Sequence, residues 1–261
     1  MVELALDRIV LVRALKGLGD FLCVTPALRS LRHAFPSAHL ALVGLESTRG
    51  LLARYTHLID ELIPFPGFPG IPEETLDVTR LPAFFAAMQA RRFDLAIQMH
   101  GNGSLLNPFT VMLGAARSAG YHAPGAYCPD PALYLPLSED EHEVRRWLRL
   151  AAHLGTPARG EQLDFPLHRA DWDALDALPE AATLLGSQHV VIHPGATEAA
   201  RRWLPAHFAA VADRLAADGF RVVLTGTTDE APIAAEVERA MRRPALNLAG
   251  RTGLGALAAL L

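Results

Sequence analysis

The stretch RIVLVRALKGLGDFLCVTPALRSLRHAFPSAHLALVG, from Arg8 to Gly44, decides the fold of this chain. It opens on RIVLV, an apolar and largely β-branched run that is typical of a buried parallel strand. A glycine-containing loop follows, and FLCVTPALRSLRHAF then carries apolar residues at close to helical spacing. HLALVG is a second buried strand. The resulting β-α-β unit predicts a parallel sheet with a right-handed crossover.

The same order of elements continues through the first half of the chain. The segment 93–99, FDLAIQM, is predicted to be a buried strand that ends in the polar loop HGNGS. Residues 105–120 are predicted to be helical with breaks, and 141–155 to form an amphipathic helix that stops at glycine. The proline-rich stretch 64–82 predicts a long loop, and loops of that length are often functional.

The second half repeats this plan after a polar, poorly periodic stretch, 160–186, that is predicted to be a linker. HVVIHPGA and RVVLTGTTDE are predicted strands that each run into a polar loop, and each is followed by a helical pattern. The fold class predicted is α/β, with two Rossmann-like, doubly wound domains at 1–168 and 169–261. Ligands should bind at the carboxyl ends of the strands, in a cleft between the domains.

Composition narrows the class of protein. The chain has 261 residues, of which 51% are hydrophobic, so it can form a packed core. Acidic residues exceed basic ones by 28 to 24, which argues against a nucleic-acid partner. Two cysteines without metal spacing, no signal peptide and no long apolar run predict a soluble cytoplasmic protein.

Asp20 is the first candidate site residue, because it follows Gly17 and Gly19 where the first helix should begin. One interpretation is an ordinary helix N-cap. The other is a general base that accepts a proton from a hydroxyl nucleophile and is kept ionised by the helix dipole. The two glycines also suggest a dinucleotide fingerprint, but Leu22 stands at its third glycine position, and Glu46 lies 27 residues beyond Gly19 instead of about 20.

A second candidate site follows the strand of the later half. In HPGATEAARRW, small residues, Thr197, Arg201 and Arg202 are suited to binding phosphate, although the arginines are equally compatible with a solvated loop. Glu230 either binds ribose hydroxyls or caps the next helix. His100 and Asn102, after the strand that ends at Met99, are either substrate contacts or ordinary loop residues.

Taken in order, these segments resemble the family 9 glycosyltransferases, the ADP-heptose:lipopolysaccharide heptosyltransferases. The resemblance rests on the block at 8–44, FDLAIQMHGNGS, EHEVRRWLRLAAHLG, VVIHPGATEAARRWLPAHFAAVADRL, VVLTGTTDE and LNLAGRTGLGALAALL. It implies the B-type glycosyltransferase architecture and an inverting, metal-independent transfer without a cofactor. The donor would be an ADP-sugar and the acceptor a lipopolysaccharide core or similar glycan.

The resemblance also implies roles for single residues. Asp20 would be the base, since the family's proposed base is the aspartate of its Gly-Asp motif, and Arg201 stands where the family usually has a diphosphate-binding lysine. The first domain would bind the acceptor and the second the nucleotide sugar. The implied donor residues are Gly195, Thr197, Arg201, Arg202 and Glu230; the implied acceptor residues are Gly19, Arg80, His100 and Asn102.

The family pattern continues beyond Leu261 with another strand and an Asp-[Ser/Thr]-Gly-x-x-His motif. We therefore expect an incomplete second domain, in which the helix LGALAALL exposes apolar surface. The alternatives are a non-catalytic nucleotide- or sugar-binding protein and a dinucleotide-dependent oxidoreductase. A peripheral contact with the inner face of the cytoplasmic membrane is a further expectation.

Overall fold

The chain forms two compact units that divide between Pro166 and Leu167, two residues before the boundary expected from the sequence. The computed structural model describes residues 6–138, 140–180, 182, 184 and 187–261. Each unit is an α/β structure built on its own parallel sheet.

The first unit contains a six-stranded sheet. Its strands are β1 (Arg8–Val12), β2 (His39–Gly44), β3 (Glu61–Pro64), β4 (Leu95–Gln98), β5 (Arg117–His122) and β6 (Tyr134–Pro136). They lie in the order β3-β2-β1-β4-β5-β6, and every neighbouring pair is parallel. The order reverses between β1 and β4, as in doubly wound nucleotide-binding sheets.

Helices cover both faces of this sheet. They are α1 (Leu18–Leu22), α2 (Thr25–Ala34), α3 (Arg49–Leu52), α4 (Leu81–Ala90), α5 (Leu106–Met112) and α6 (Glu143–His153). Alternate residues of β1 point to opposite faces: Ile9 and Leu11 join a core cluster with α2 and α6, whereas Val10 and Val12 join one with α4 and α5. Burial on both faces explains why the strands read as continuous apolar runs.

The secondary structure predicted from the sequence differs from the observed one at two places in this unit. The predicted first helix is split into α1 and α2, because Pro26 lacks an N–H and lies in the first turn of α2. The predicted broken helix at 105–120 was wrong at its end, because α5 stops at Met112 and residues 117–120 begin β5. Gly120 of β5 lies against the Gln98 side chain, where a Cβ would be crowded, so pairing with β4 decides this strand.

The second unit has a three-stranded parallel sheet. It contains β7 (His189–Ile192), β8 (Arg221–Leu224) and β9 (Leu246–Asn247), in that order, with α7 (Arg169–Asp176), α8 (Pro205–Ala217), α9 (Ala231–Ala240) and α10 (Leu254–Leu260). The paired helices α8 and α9 cover one face and α7 and α10 the other.

The terminal helix does not expose its apolar face as expected. Ala256, Ala259 and Leu260 of α10 are buried with Leu175 of α7 and Leu248, although Leu261 itself is exposed. The packing of α7 against this helix is not expected from the sequence, because α7 lies within the segment 160–186 that is predicted to be a linker.

Much of that predicted linker is ordered. The Tyr55 hydroxyl donates to the carbonyl of Asp164 at 2.7 Å, and the Asp164 amide donates to Thr25 Oγ1 at 3.0 Å. The segment before Pro166 is thus attached to the first unit, and α7 belongs to the second. Residues 181, 183, 185 and 186 of the predicted linker lie outside the described residues. In the described ranges, no helix is both long and apolar enough to cross a membrane.

Candidate functional site

The reversal of strand order between β1 and β4 positions the candidate site of the first unit. The crossovers from these two strands diverge to opposite sides, which leaves a crevice at their carboxyl ends. The loop after β1 carries Arg13 and leads to Asp20, and the loop after β4 carries His100 and Asn102. Met99 donates its amide to the Val12 carbonyl at 2.9 Å, so the two loops start side by side.

Arg13 links these two loops through its buried side chain. Arg13 is only 6% exposed. Its guanidinium donates to the carbonyls of Met99 and Asp20 at 2.5 Å each and lies over the Trp147 ring. Burial lowers the pKa of Arg13 to about 10, against the opposing attraction of Glu143 and Asp20. Sequence reasoning missed Arg13, although a charged residue directly after a buried strand was a usable signal.

Asp20 is exposed and is not the N-cap. It is the third residue of α1, whose N-cap is Gly17, and the helix start has no capping side chain. The interpretation of Asp20 as a helix cap was therefore wrong. The carboxylate folds back over Gly17, where any Cβ would overlap it, whereas a Cβ on Gly19 would meet open space. Because Gly17 has no side chain, the Asp20 carboxylate can occupy this position. The backbone at Gly19 stays accessible.

His100 is buried, close enough to Asp20 for the two side chains to interact electrostatically. Its Nδ1 accepts the Ala14 amide at 3.3 Å, which fixes the proton of the neutral ring on Nε2. Burial is the main cause that lowers the pKa of His100, with Arg13 acting in the same direction and Glu73 and Asp20 opposing. His100 is thus a neutral hydrogen-bond donor near neutral pH.

Three of the four predicted acceptor residues line two different cavities, and Gly19 lines neither of them. His100 and Asn102 line a cavity of about 340 Å³, and Asn102 also accepts the Ser104 amide at 3.0 Å, which shapes the loop. Arg80 lines a different cavity, of about 670 Å³, with Glu46. The structure therefore does not bring Arg80 together with the other predicted contacts.

The candidate site of the second unit follows β7 and β8. The Glu230 carboxylate lies directly over Gly195, where a Cβ would overlap it. It accepts the Thr227 amide at 2.8 Å and the Thr227 hydroxyl at 3.0 Å, which forms a capping box on the short 3₁₀ turn Thr228–Glu230. Glu230 stands at the N-cap position of α9 as predicted, but its side chain makes no capping bond to that helix. The Thr227 amide is the main cause that lowers the pKa of Glu230, helped by the nearby His193 and Arg202. Nε2 of His193 lies 3.4 Å from Glu230.

The two predicted phosphate-binding arginines differ in what they contact. Arg202 donates to the carbonyl of Ala196 at 2.8 Å and thereby shapes the loop. The Arg201 side chain is 75% exposed, with Glu198 3.7 Å away. Thr197 is exposed beside them. The predicted donor residues accordingly share one edge of the second sheet, with Arg201 the more available cation.

Metal ligation has no visible basis in the described part of the chain, where no three His, Cys, Asp or Glu side chains form a group able to hold an ion.

Both units are parallel α/β structures whose polar loops gather at the carboxyl ends of the strands, which defines a Rossmann-like, ligand-binding class of protein. The family model of glycosyltransferase family 9 (heptosyltransferase) matches residues 82–261. The chain belongs to this family and is a glycosyltransferase. The matched range includes His100 and every predicted donor residue, but neither Asp20 nor Arg80. Membership of this family excludes the alternative interpretation as a dinucleotide-dependent oxidoreductase.

Relatives agree with this assignment. The chain is 25% identical over 254 residues to lipopolysaccharide heptosyltransferase 3 of Escherichia coli, an alignment that covers 93% of this chain and 72% of that protein. Its fold is similar to that of a family 9 glycosyl transferase from Veillonella parvula, with a TM-score of 0.72, 22% identity and coverage of 98% and 74%. An E. coli heptosyltransferase solved with ADP matches with a TM-score of 0.57, 18% identity and coverage of 97% and 77%.

Proposed function

We propose that this chain transfers a heptose from an ADP-heptose donor to a saccharide of the lipopolysaccharide core, with inversion at the anomeric carbon. Family membership and the relative named as a lipopolysaccharide heptosyltransferase support the sugar and the acceptor. The related E. coli enzyme solved with ADP supports the nucleotide. The observation that carries the mechanism is the exposed Asp20 carboxylate at the strand-order reversal of the first sheet.

Asp20 is the proposed general base. Its carboxylate takes the proton of an acceptor hydroxyl as that oxygen forms its bond to the anomeric carbon. The bond from that carbon to the diphosphate oxygen breaks at the same time, and ADP leaves with the electron pair. Arg13 assists by holding the Asp20 backbone, and Gly17 by leaving room for the carboxylate. Both are positioning residues.

The second unit is the proposed donor site. Arg201 is placed to neutralise the charge that develops on the departing diphosphate, with Thr197 beside it. Glu230, held over Gly195, is the proposed acceptor of ribose hydroxyl hydrogen bonds through the oxygen that Thr227 leaves free. Because Arg201 supplies the positive charge, we propose a reaction that needs no cofactor and persists in EDTA.

The proposed site of action is the cytoplasm. Lipopolysaccharide is a lipid-anchored glycan, so its core is presented at a membrane surface. We therefore include in the proposal a peripheral contact with the inner face of the cytoplasmic membrane.

The first test measures ADP release from ADP-heptose in the presence of a truncated core acceptor. Asp20→Asn, which removes only the basicity, should lower kcat by about 10²- to 10⁴-fold. Asp140→Asn, at an exposed position of the same unit, is the matched control and should keep wild-type activity. Wild-type kcat in Asp20→Asn would remove Asp20 from the mechanism, and ADP binding without turnover in the wild type would favour a non-catalytic binding protein.

A further inference from the structure

Glu73 is a half-buried carboxylate that the proposed reaction does not use. It lies in the proline-rich loop between β3 and α4 and faces the cavity of about 340 Å³ that His100 and Asn102 also line. Cavities of this size stand at the lower end of small-molecule sites and suit one sugar ring. The walls also include Gly70 and Leu105, which bring the two loops close together.

One oxygen of Glu73 is unsatisfied. Oε2 is buried and has no hydrogen-bond partner within the described residues. A buried carboxylate oxygen without a partner is costly, and native structures rarely keep one without a reason. A rotation of the Glu73 side chain that turns Oε2 toward the cavity would let a ligand hydroxyl donate to it and supply the missing hydrogen bond.

His100 offers the complementary group. Its Nδ1 is engaged by the Ala14 amide, so the ring proton is on Nε2 and can be donated. Burial lowers the pKa of His100, which keeps the ring uncharged near neutral pH. The cavity thus contains an anionic acceptor and a neutral donor, a combination that matches sugar hydroxyls.

The charges around the cavity disfavour an anionic ligand. Glu73 and Asp20 both act electrostatically on His100. The nearby cation, Arg13, is almost fully buried and already donates to two carbonyls. Arg80 lines the other cavity. Arg13 also acts on His100, so a phosphate or carboxylate on the bound ring would face two carboxylates with one nearby cation, whose buried guanidinium is already held by two carbonyls.

We propose that this cavity, defined by Glu73 and His100, is the acceptor subsite for an uncharged, polyhydroxylated sugar ring, and that Glu73 selects against phosphorylated or carboxylated rings. The inference rests on the proposed function and adds the chemical class of the acceptor ring. Glu73 acts as a specificity determinant that binds a hydroxyl and takes no part in proton transfer.

The test compares two probes, the methyl glycoside of a heptose and its monophosphate ester, titrated without donor by ligand-observed NMR. The wild type should bind the neutral glycoside at least about tenfold more tightly than the phosphate. Glu73→Gln, nearly the same shape without the charge, should weaken neutral binding about tenfold and reduce the preference. Glu161→Gln, in an exposed ion pair of the same unit, should change neither value.

The outcomes separate this inference from the proposed function. Equal binding of both probes to the wild type, binding of neither, or an unchanged preference in Glu73→Gln overturns the subsite. ADP-heptose turnover is measured on the same samples. If the wild type turns over while Glu73→Gln keeps the preference, the subsite is wrong and the transferase proposal stands; absence of turnover counts against the proposed function alone.

Discussion

Each unit holds a carboxylate directly over a glycine, but the two carboxylates are held differently. Asp20 lies over Gly17 on an exposed helix start, with its side chain free of capping bonds. Glu230 lies over Gly195 and is fastened by two hydrogen bonds from Thr227. The proposed base is therefore positioned by the backbone beneath it, whereas the donor-site carboxylate also supports its own loop.

The same contrast applies to the arginines of the two sites. Arg13 of the first unit is buried and shared between two carbonyls, and Arg201 of the second is three-quarters exposed. Arg13, which holds two loops in place, lies in the interior. A group that must meet a ligand's diphosphate remains accessible.

Arg13→Met is expected to have the largest effect on stability. It leaves the carbonyls of Met99 and Asp20 without their donors in a buried setting, and should lower the free energy of unfolding of the first unit by about 3 kcal/mol. Urea unfolding followed by Trp147 fluorescence, in a background with Trp172 and Trp203 changed to Phe, measures this. Arg8→Met, at the start of β1, loses one exposed hydrogen bond and should cost under about 1 kcal/mol. Equal losses in both would deny Arg13 its framework role.

Gly17→Ala should separate activity from stability. The backbone at Gly17, with φ −73° and ψ 131°, accepts alanine without strain, and the exposed Asp20 carboxylate can swing away from the new methyl group. Displacement of the base by about 1 Å should lower kcat tenfold or more, while the urea midpoint stays close to that of the wild type. Gly50→Ala, where an added Cβ meets open space, controls for the substitution itself. An unchanged kcat would show that the position of Asp20 does not set the rate.

Gly195→Ala, unlike Gly17→Ala, should lower the stability of its unit. The methyl group displaces Glu230 and breaks its hydrogen bonds to Thr227, so the second unit should lose about 1 kcal/mol of stability. The loss should be less than the sum with that of Thr227→Ala, because both changes remove the bond from the Thr227 hydroxyl, while Thr227→Ala keeps the backbone amide bond. Because the folded pKa of Glu230 is lowered, its stabilisation is present above the ordinary carboxyl pKa of about 4.3 and disappears as pH falls through the folded value. Additive losses, or a difference that persists at low pH, would contradict this account.

Much of the fold was predictable because its signals are local. The apolar runs of β1, β2, β4, β7 and β8 mark buried strands, and the polar loops after them mark the edges where ligands bind. Strands β3, β5 and β6 were not predicted. The sequence RSAGYH lacks the β-branched run of the central strands, and only its place beside β4 makes it a strand.

The candidate site was predictable in part for the same reason. Asp20, His100 and Glu230 could be selected because each follows a recognisable strand. Arg13 also follows a strand directly and could have been selected as a candidate, but its partners are distant in sequence. Glu73 could not be selected, because its role depends on enclosure by another loop.

Short-range patterns and ordered motifs are enough to predict the parallel α/β class, the family and the loops that carry the chemistry. Only the tertiary structure decided which side chains meet. Arg13 finds the Met99 carbonyl 86 residues away, Glu73 meets the loop of His100, and Glu230 lies over Gly195. Each of these contacts depends on strand order and loop packing, which bring distant segments together and which no local pattern encodes.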